Sequence, residues 1–278
     1  MPPLFADRTL AERVERSVAR DLELYAEACL RLEPGLGCEI RRFGGGIALF
    51  LAPDSPVNMI YGAGFGTSVS AEDFVAVERF YADHGTRAAI SLSPLADEAF
   101  ITQLGVRGWM LTDFENVLVR DLAGGLHTLG LPAPGPGVEL HRAVTADERA
   151  AWAKLSSGAF RAPEAPSAEV VRLGEAMAAR EDVTLLTGSV DGRSAGAAAL
   201  WIDDGLGWLL GDATLPEHRG RGVQSALLAE RTRLAAAAGC QFGVTEARAG
   251  STSQRNMERL GFRVVYTRVE LIAPPNRL

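Results

Sequence analysis

One lysine, Lys154, stands in a chain of 278 residues whose Lys and Arg together number 28. A nucleoside-triphosphate loop closes a glycine-rich turn with a Lys-Ser/Thr pair. Lys154 lies away from the glycine-rich turn described below, so that chemistry is excluded. The arginine excess goes with abundant Ala and Gly and carries no functional message. Cysteine is scarce as well. Cys29, Cys38 and Cys240 are odd in number and scattered, which gives neither a disulfide framework nor a metal-ligand spacing. The four histidines, His84, His127, His141 and His218, form no HxxxH or CxxC-like set, so no metal is expected. Positive charge is in deficit, with a net charge of -7 and a pI near 5.3. That argues against a protein that holds nucleic acid by phosphate attraction. It is compatible with cationic, amine-bearing substrates. No apolar run has the length of a bilayer span, and the N-terminus lacks the basic-then-apolar order of a secretory signal. The expectation is a cytoplasmic protein without a membrane or nucleic-acid partner.

What is present suggests two domains. The chain is 47% hydrophobic and 23% charged, as in soluble globular proteins, and is long enough for two of them. The clearest linker falls between 121 and 137, with Gly124-Gly125 and then Pro132-Ala-Pro-Gly-Pro-Gly137. The expected division is residues 1–122, a linker over 123–137, and residues 138–278. The first part reads as a helix from Asp7 to Leu32, two strands around Gly44–Gly46, a strand over Val57–Ala63, and a helix opened by the Ser70/Asp73 pair. Leu104-Gly105-Val106-Arg107 then precedes a strand ending Asn116-Val117-Leu118. Leu260-Gly261-Phe262-Arg263 precedes one ending Arg268-Val269-Glu270-Leu271. Upstream of each, a strand, a glycine-containing loop and a helix follow in the same order. Chance recurrence of Leu-Gly turns is one explanation; two copies of one fold is the other, and the matched order favours it.

The stretch from Trp208 to Gly239 organises the second part. Apolar Trp208-Leu209-Leu210 reads as a buried strand, Arg219-Gly220-Arg221-Gly222 as a tight turn, and Val223 to Ala238 as a helix. A helix N-terminus presents N–H groups with no internal partner and the positive end of the dipole. Glycines let a ligand approach the backbone. Such a site suits a phosphate or pyrophosphate. The dinucleotide fingerprint GxGxxG is absent, because Ser225 occupies its third glycine. Taken alone, Arg-Gly-Arg-Gly reads equally as an ordinary strand-to-helix turn with solvated arginines.

Leu215-Pro-Glu-His-Arg-Gly-Arg-Gly-Val-Gln-Ser-Ala-Leu-Leu resembles the acyl-CoA-binding motif of the GNAT superfamily of N-acetyltransferases, Arg/Gln-x-x-Gly-x-Gly/Ala. Arg219 fills its first position and Gly222 its fourth, while Gln224 stands where Gly or Ala is usual. Ser253-Gln-Arg-Asn-Met-Glu-Arg-Leu-Gly-Phe262 resembles the last core helix of that family. The resemblance spans Val138 to Ile272. It implies an α/β fold of the α+β type, and together with the internal echo it implies two GNAT-like domains, each a mixed, mostly antiparallel sheet flanked by helices. The first copy has Gly64-Phe65-Gly66 where the second has its arginine-glycine turn, so it reads as degenerate and without CoA.

The resemblance also assigns roles. Acetyl-CoA is the implied cosubstrate, with no metal. Backbone groups of Ala213, Thr214 and Leu215 are expected to pair with pantetheine. Arg219, Gly220, Arg221, Gly222, Val223, Gln224 and Ser225 are expected to meet the pyrophosphate or the 3′-phosphate, and Asn256 the sulfur or pantetheine. Glu246 and Asp212 are the candidate bases; each reads alternatively as a strand-end cap or the partner of an arginine. Asn256 and Ser253 read alternatively as ordinary exposed helix residues. Many members carry a Tyr four residues before the Gly of Leu-Gly-Phe, but that position is Met257, which cannot donate a proton. Another group donates it, or the thiolate leaves unaided, or activity is lost. Phe160, Arg161 and Glu164 are candidate lining residues of an acceptor pocket. The acceptor expected is an amine on a small molecule or peptide, and a homodimer is compatible with the sequence.

Overall fold

The computed structural model describes residues 5–159 and 166–275; Phe160, Arg161 and Glu164 lie outside them. The chain forms two compact units. One takes the chain up to Val117 and again from Val265 onward, and the other takes Leu118–Val264.

The first unit opens with α1 (Arg8–Leu32), capped by the Asp7 carboxylate accepting from the Leu10 amide at 2.9 Å. Its buried stripe includes Leu10, Val14, Tyr25 and Cys29. Strands β1 (Glu39–Phe43), β2 (Gly46–Phe50), β3 (Ile60–Tyr61) and β4 (Ala89–Leu92) follow, with α2 (Ala71–Asp83) between the last two. After α3 (Glu98–Val106) comes β5 (Met110–Asp121). The order in this sheet is β1-β2-β3-β4-β11-β5, where β11 (Arg263–Ile272) is the last strand of the chain. β11 pairs antiparallel with β4, from Val269 opposite Leu92 to Ile272 opposite Ala89. Phe43, Phe74 and Phe100 pack ring on ring in the core, the first two edge-on at 5.3 Å.

The second unit contains β6 (Val138–Ala143), α4 (Ala146–Ala159), α5 (Ala168–Ala179), β7 (Val183–Val190), β8 (Arg193–Asp203), β9 (Leu206–Thr214), α6 (Val223–Ala237), β10 (Phe242–Arg248) and α7 (Thr252–Arg259). Its sheet runs β5-β10-β9-β8-β7-β6, with residues 118–121 of β5 at one edge. All pairs from β6 to β9 are antiparallel, and β9 with β10 is parallel. Leu118, Leu209, Leu228, Met257 and Phe262 meet in one core cluster. Each unit is therefore a mixed, mostly antiparallel sheet flanked by helices.

The division differs from the one expected at residues 122 and 138. The final strand belongs with the first unit, because β4 is its partner and because Tyr266 and Arg268 are buried there against Glu15 of α1. The Leu-Gly echo marks where a strand begins but holds no information on which sheet it joins.

Candidate functional site

Two departures from regular pairing shape β9. The first is against β8, where Ala197 faces Ala213 but Ala199 faces Leu210, so β9 spends an extra residue. Gly211 takes up the bulge at φ +62°, a conformation that an L side chain resists. The second is against β10. Pairing covers only Leu206–Trp208 with Phe242–Val244, after which the strands carry on without a ladder. Beyond Trp208 the two strands therefore splay, and the β10-facing edge of β9 is left unpaired by that strand.

Beyond Thr214 the chain turns through Pro216–His218 and reaches α6. Gly222 caps that helix in the left-handed region, at φ +83°, and among the described residues no side chain caps its first turn. The first turn also holds no acidic residue, and the first helical bond is that from Ala226 N–H to Gly222 O. The amides of Val223, Gln224 and Ser225 therefore precede the ladder. An added Cβ at Gly220 or Gly222 would meet nothing within 4 Å, so the space before these amides is open.

That space is part of a cleft of about 630 Å³. Its walls hold Asp212, Ala213 and Thr214 from β9, then His218, Arg219, Gly220 and Gly222 from the loop. Val223, Gln224 and Ser225 of α6 and Ser253, Asn256 and Arg259 of α7 complete them. Ten of the expected site residues thus come together. Gln224 turns toward α7: its amide nitrogen donates to Ser253 Oγ at 3.1 Å, and its oxygen accepts from Asn256 Nδ2 at 2.7 Å. The departure from Gly/Ala becomes a polar bridge between the two helices and does not fill the turn.

Three expected residues stand elsewhere. Leu215 does not line the cleft. Its N–H donates to Ala195 O at 2.9 Å and its carbonyl accepts from His218 N–H at 2.9 Å, so this peptide is already used. Arg221 is half exposed and pairs with Asp191 of the β7–β8 turn at 2.8 Å. Glu246 is not among the lining residues. It alternates along β10 with Thr245 and Ala247, of which Ala247 packs with Met257, so it lies on the other face of that strand.

Asp212 is engaged from beneath. Its Oδ1 accepts from Arg231, and its side chain is 12% exposed against 0% for that arginine. Burial pushes the carboxyl upward, and the Arg231 charge and hydrogen bond oppose the shift. Met257 is buried in the core, at 2% exposure.

His218 and Arg231 were not legible as site residues. His218 lines the cleft, and its Nδ1 is buried without a hydrogen-bond partner among the described residues. Arg231 carried a signal that was available: it continues the buried stripe of Val223 and Leu227 at four-residue spacing, and a charge in such a stripe needs partners.

In the first unit the corresponding helix start is capped. Ser70 and Asp73 form a full capping box on α2, each side chain bonded to the other's backbone N–H. Gly66 N–H donates to Asp97 Oδ2 at 2.8 Å. These hydrogen bonds hold both carboxyls below the usual range.

The family model for the Acetyltransferase (GNAT) family matches residues 149–262. No curated protein matches the chain. Among solved structures, a GCN5-related N-acetyltransferase from Kribbella flavida is similar over 94% of this chain and 96% of its own, at a TM-score of 0.63 and 18% identity. A tandem GNAT protein from the clavulanic acid biosynthesis pathway covers 91% of this chain and 88% of its own, at 0.63 and 16%. A GCN5-related N-acetyltransferase from Sphaerobacter thermophilus covers 99% and 96%, at 0.59 and 16%. At these identities the likeness is one of fold, and it extends over nearly the whole chain.

Proposed function

We propose that this chain, which belongs to the GNAT family through residues 149–262, is a CoA-dependent N-acyltransferase that moves an acetyl group from acetyl-CoA to a primary amine. The observation that carries the reading is the uncapped, acid-free N-terminus of α6 opening on the 630 Å³ cleft beside a splayed β9. Such an end attracts an anion through its N–H groups and dipole, and the open space at Gly220 and Gly222 admits a pyrophosphate to the backbone.

In this reading the amides of Val223 to Ser225 hold the pyrophosphate, with Arg219 adding charge. Ala213 and Thr214 offer backbone groups along the free edge of β9 to pantetheine. Ser253 and Asn256, tied to Gln224, form the polar wall opposite. Acetyl-CoA supplies the activated acyl carbon; the chain supplies position and proton transfer. Asp212 and Glu246 remain the candidate bases. Among the described residues on the cleft wall, His218 presents an imidazole, a side chain with both donor and acceptor nitrogens, and it replaces the missing tyrosine as the donor to the departing sulfur. Among the described residues no cysteine lines the cleft to carry a covalent acyl group, and in this reading transfer is direct within a ternary complex. The acceptor is an amine on a small molecule or peptide.

The burial of Met257 where a proton donor is usual favours a second reading, an acyl-CoA-binding protein without turnover. Calorimetric titration of acetyl-CoA into the protein, followed by thiol release over a panel of primary amines, separates the two. Binding with amine-dependent release supports the transferase; binding with no release across the panel supports the silent protein; absence of binding sinks both.

A further inference from the structure

Gln224 stands in the first turn of α6 and reaches across to α7. Its Nε2 donates to Ser253 Oγ at 3.1 Å, and its Oε1 accepts from Asn256 Nδ2 at 2.7 Å. Ser253 and Asn256 are three residues apart on α7 and so share one face of it. All three side chains belong to residues that line the cleft and are partly exposed. The Asn256 carboxamide spends one N–H on the bridge and keeps its other N–H and its oxygen. The backbone N–H of Gln224 is one of those that precede the α6 ladder. One residue therefore belongs to the open start of α6 through its main chain and to the α7 wall through its side chain.

We infer that Gln224 is a positioning residue for the acyl donor: it holds the Asn256 carboxamide in place for the amide groups of the pantetheine arm. This rests on the acyl-CoA reading of the same cleft. Three observations carry it. The bridge engages both ends of the Gln224 amide, which restrains the side chains of Gln224 and Asn256 together. The helix α7 has other anchors: Met257 and Leu260 lie in the core with Phe262, and Ser251 caps its start by accepting from the Gln254 amide at 3.1 Å. The bridging groups are partly exposed to water, where a hydrogen bond between side chains adds little to stability. A tie that the fold does not depend on, joining two walls of one cleft, suits a ligand that touches both.

The gain is one of order. An unrestrained carboxamide loses rotamer freedom when a ligand fixes it, and that loss weakens binding by about three- to tenfold per side chain. Asn256 is already restrained by Gln224, so the loss does not fall on the binding step. The pantetheine arm carries secondary amides, and their N–H and C=O groups complement the oxygen and the N–H that Asn256 keeps. A rival account makes Gln224 an obstruction, because it stands where the motif has Gly or Ala. The two accounts differ in sign. Restoring the small residue weakens the donor if Gln224 positions Asn256, and tightens it if Gln224 crowds the cleft.

The test is a double-mutant cycle on the full chain with Gln224→Ala, Asn256→Ala and the pair. Melting temperature and acetyl-CoA affinity by calorimetry are read for each protein. The affinity for S-acetylpantetheine, which lacks the diphosphate and the nucleoside, is read by its competition with acetyl-CoA. Gln224→Ala is expected to melt within about 3 °C of wild type and to weaken both donors by the same factor, about three- to tenfold. The paired variant is expected to bind within about twofold of Asn256→Ala alone, since Gln224 acts through Asn256. Acetyl-CoA bound by Gln224→Ala as tightly as by wild type, or more tightly, overturns the inference. So do losses that multiply in the paired variant, and so does a loss confined to acetyl-CoA, which would belong to the phosphate end. Each of these leaves the acyl-CoA reading intact, whereas a wild type that binds no acetyl-CoA overturns both. If Gln224→Ala fails to fold, Gln224→Asn, whose carboxamide is too short to span to α7, gives the same cycle.

Discussion

Arg268 and Glu15 are 253 residues apart in sequence and meet in the core of the first unit, Nε to Oε1 at 2.7 Å. Both side chains are 2% exposed, and Tyr266 donates a second hydrogen bond to the same Glu15 oxygen at 2.7 Å. The last strand of the chain is thereby locked to its first helix by charge as well as by the β4 ladder.

Removing one partner strands the other charge in the core, which costs about 3–5 kcal/mol. Arg268→Met is therefore expected to lower the stability of the first unit by that order. Hydrogen exchange should show the loss in α1, β4 and β11, with the amides of α6 keeping their protection. Equal loss in α6 would show that the pair does not belong to one unit's stability alone.

Arg219 and Arg221 are two residues apart and differ in place. Arg219 lines the cleft; Arg221 is about half exposed and paired to Asp191. A charged contact to a phosphate is worth about 1.5–3 kcal/mol, whereas an exposed ion pair is worth about 0–1 kcal/mol. Arg219→Ala should weaken acetyl-CoA by about 10- to 100-fold, and Arg221→Ala by less than about fivefold. Calorimetry at one fixed salt concentration checks the ranking, and the reverse order would place the phosphates nearer Asp191.

Much of this was legible in the sequence, for stated reasons. The strand, turn and helix around Gly222 follow from local rules, and the uncapped first turn is visible in Val223-Gln-Ser. Ser70 with Asp73 reads as a capping box, and it is one. The Val57–Ala63 expectation shrinks to Ile60–Tyr61, because the ladder to β2 is in register at those two residues and the ladder to β4 at Ile60. The β9 bulge was not legible, since it depends on register against β8 and only Gly211 hints at it. Asp212 could be placed near the cleft but not matched to Arg231, because that contact joins a strand to a helix 19 residues on. The exchange of the last strand lay beyond any local signal.

Glu148 caps α4 by accepting from the amides of Val144 and Thr145, each at 2.8 Å, and it also meets His141 Nε2 at 2.9 Å. The Thr145 amide, then His141 and the Val144 amide, hold its carboxyl down to about 2, from an ordinary 4.5. A depressed folded value means that the contribution is complete above 4.5 and is lost as the pH falls toward 2. Glu148→Gln should therefore melt below the wild type at pH 7, with the gap closing between about pH 4.5 and 2. A gap unchanged at pH 2 would assign the effect to packing.

His218 presents a test of the proton donor. If it protonates the departing sulfur, His218→Phe should bind acetyl-CoA within about threefold of wild type and turn over about 100-fold more slowly, the typical size of a general-acid contribution. An acyl donor with a more acidic thiol leaving group needs less help, so the deficit should shrink with such a donor. A deficit that is the same for both donors would remove His218 from proton transfer.

Acetyl-CoA should bind one site per chain, and the reason lies in which carboxylates the first unit keeps for itself. The Ser70 and Asp73 amides and the Gly66 amide are all bonded within that unit, to Asp73, Ser70 and Asp97 respectively. A phosphate arriving there would have to displace two carboxylates, Asp73 and Asp97, and would meet their charge. At α6 there is neither a cap nor an acid in the first turn. Calorimetry on the full chain should accordingly give a stoichiometry near one, and Gly222→Trp, which fills the open space before α6, should abolish it. The Asp73→Ala/Asp97→Ala variant should not create a second site of comparable strength, because Arg41 and Arg42, which line the pocket beside the start of α2, are already paired with Glu39 and Glu23. A stoichiometry of two in the wild type would mean that the capped helix opens to bind, and would overturn the reading of the first unit as CoA-free.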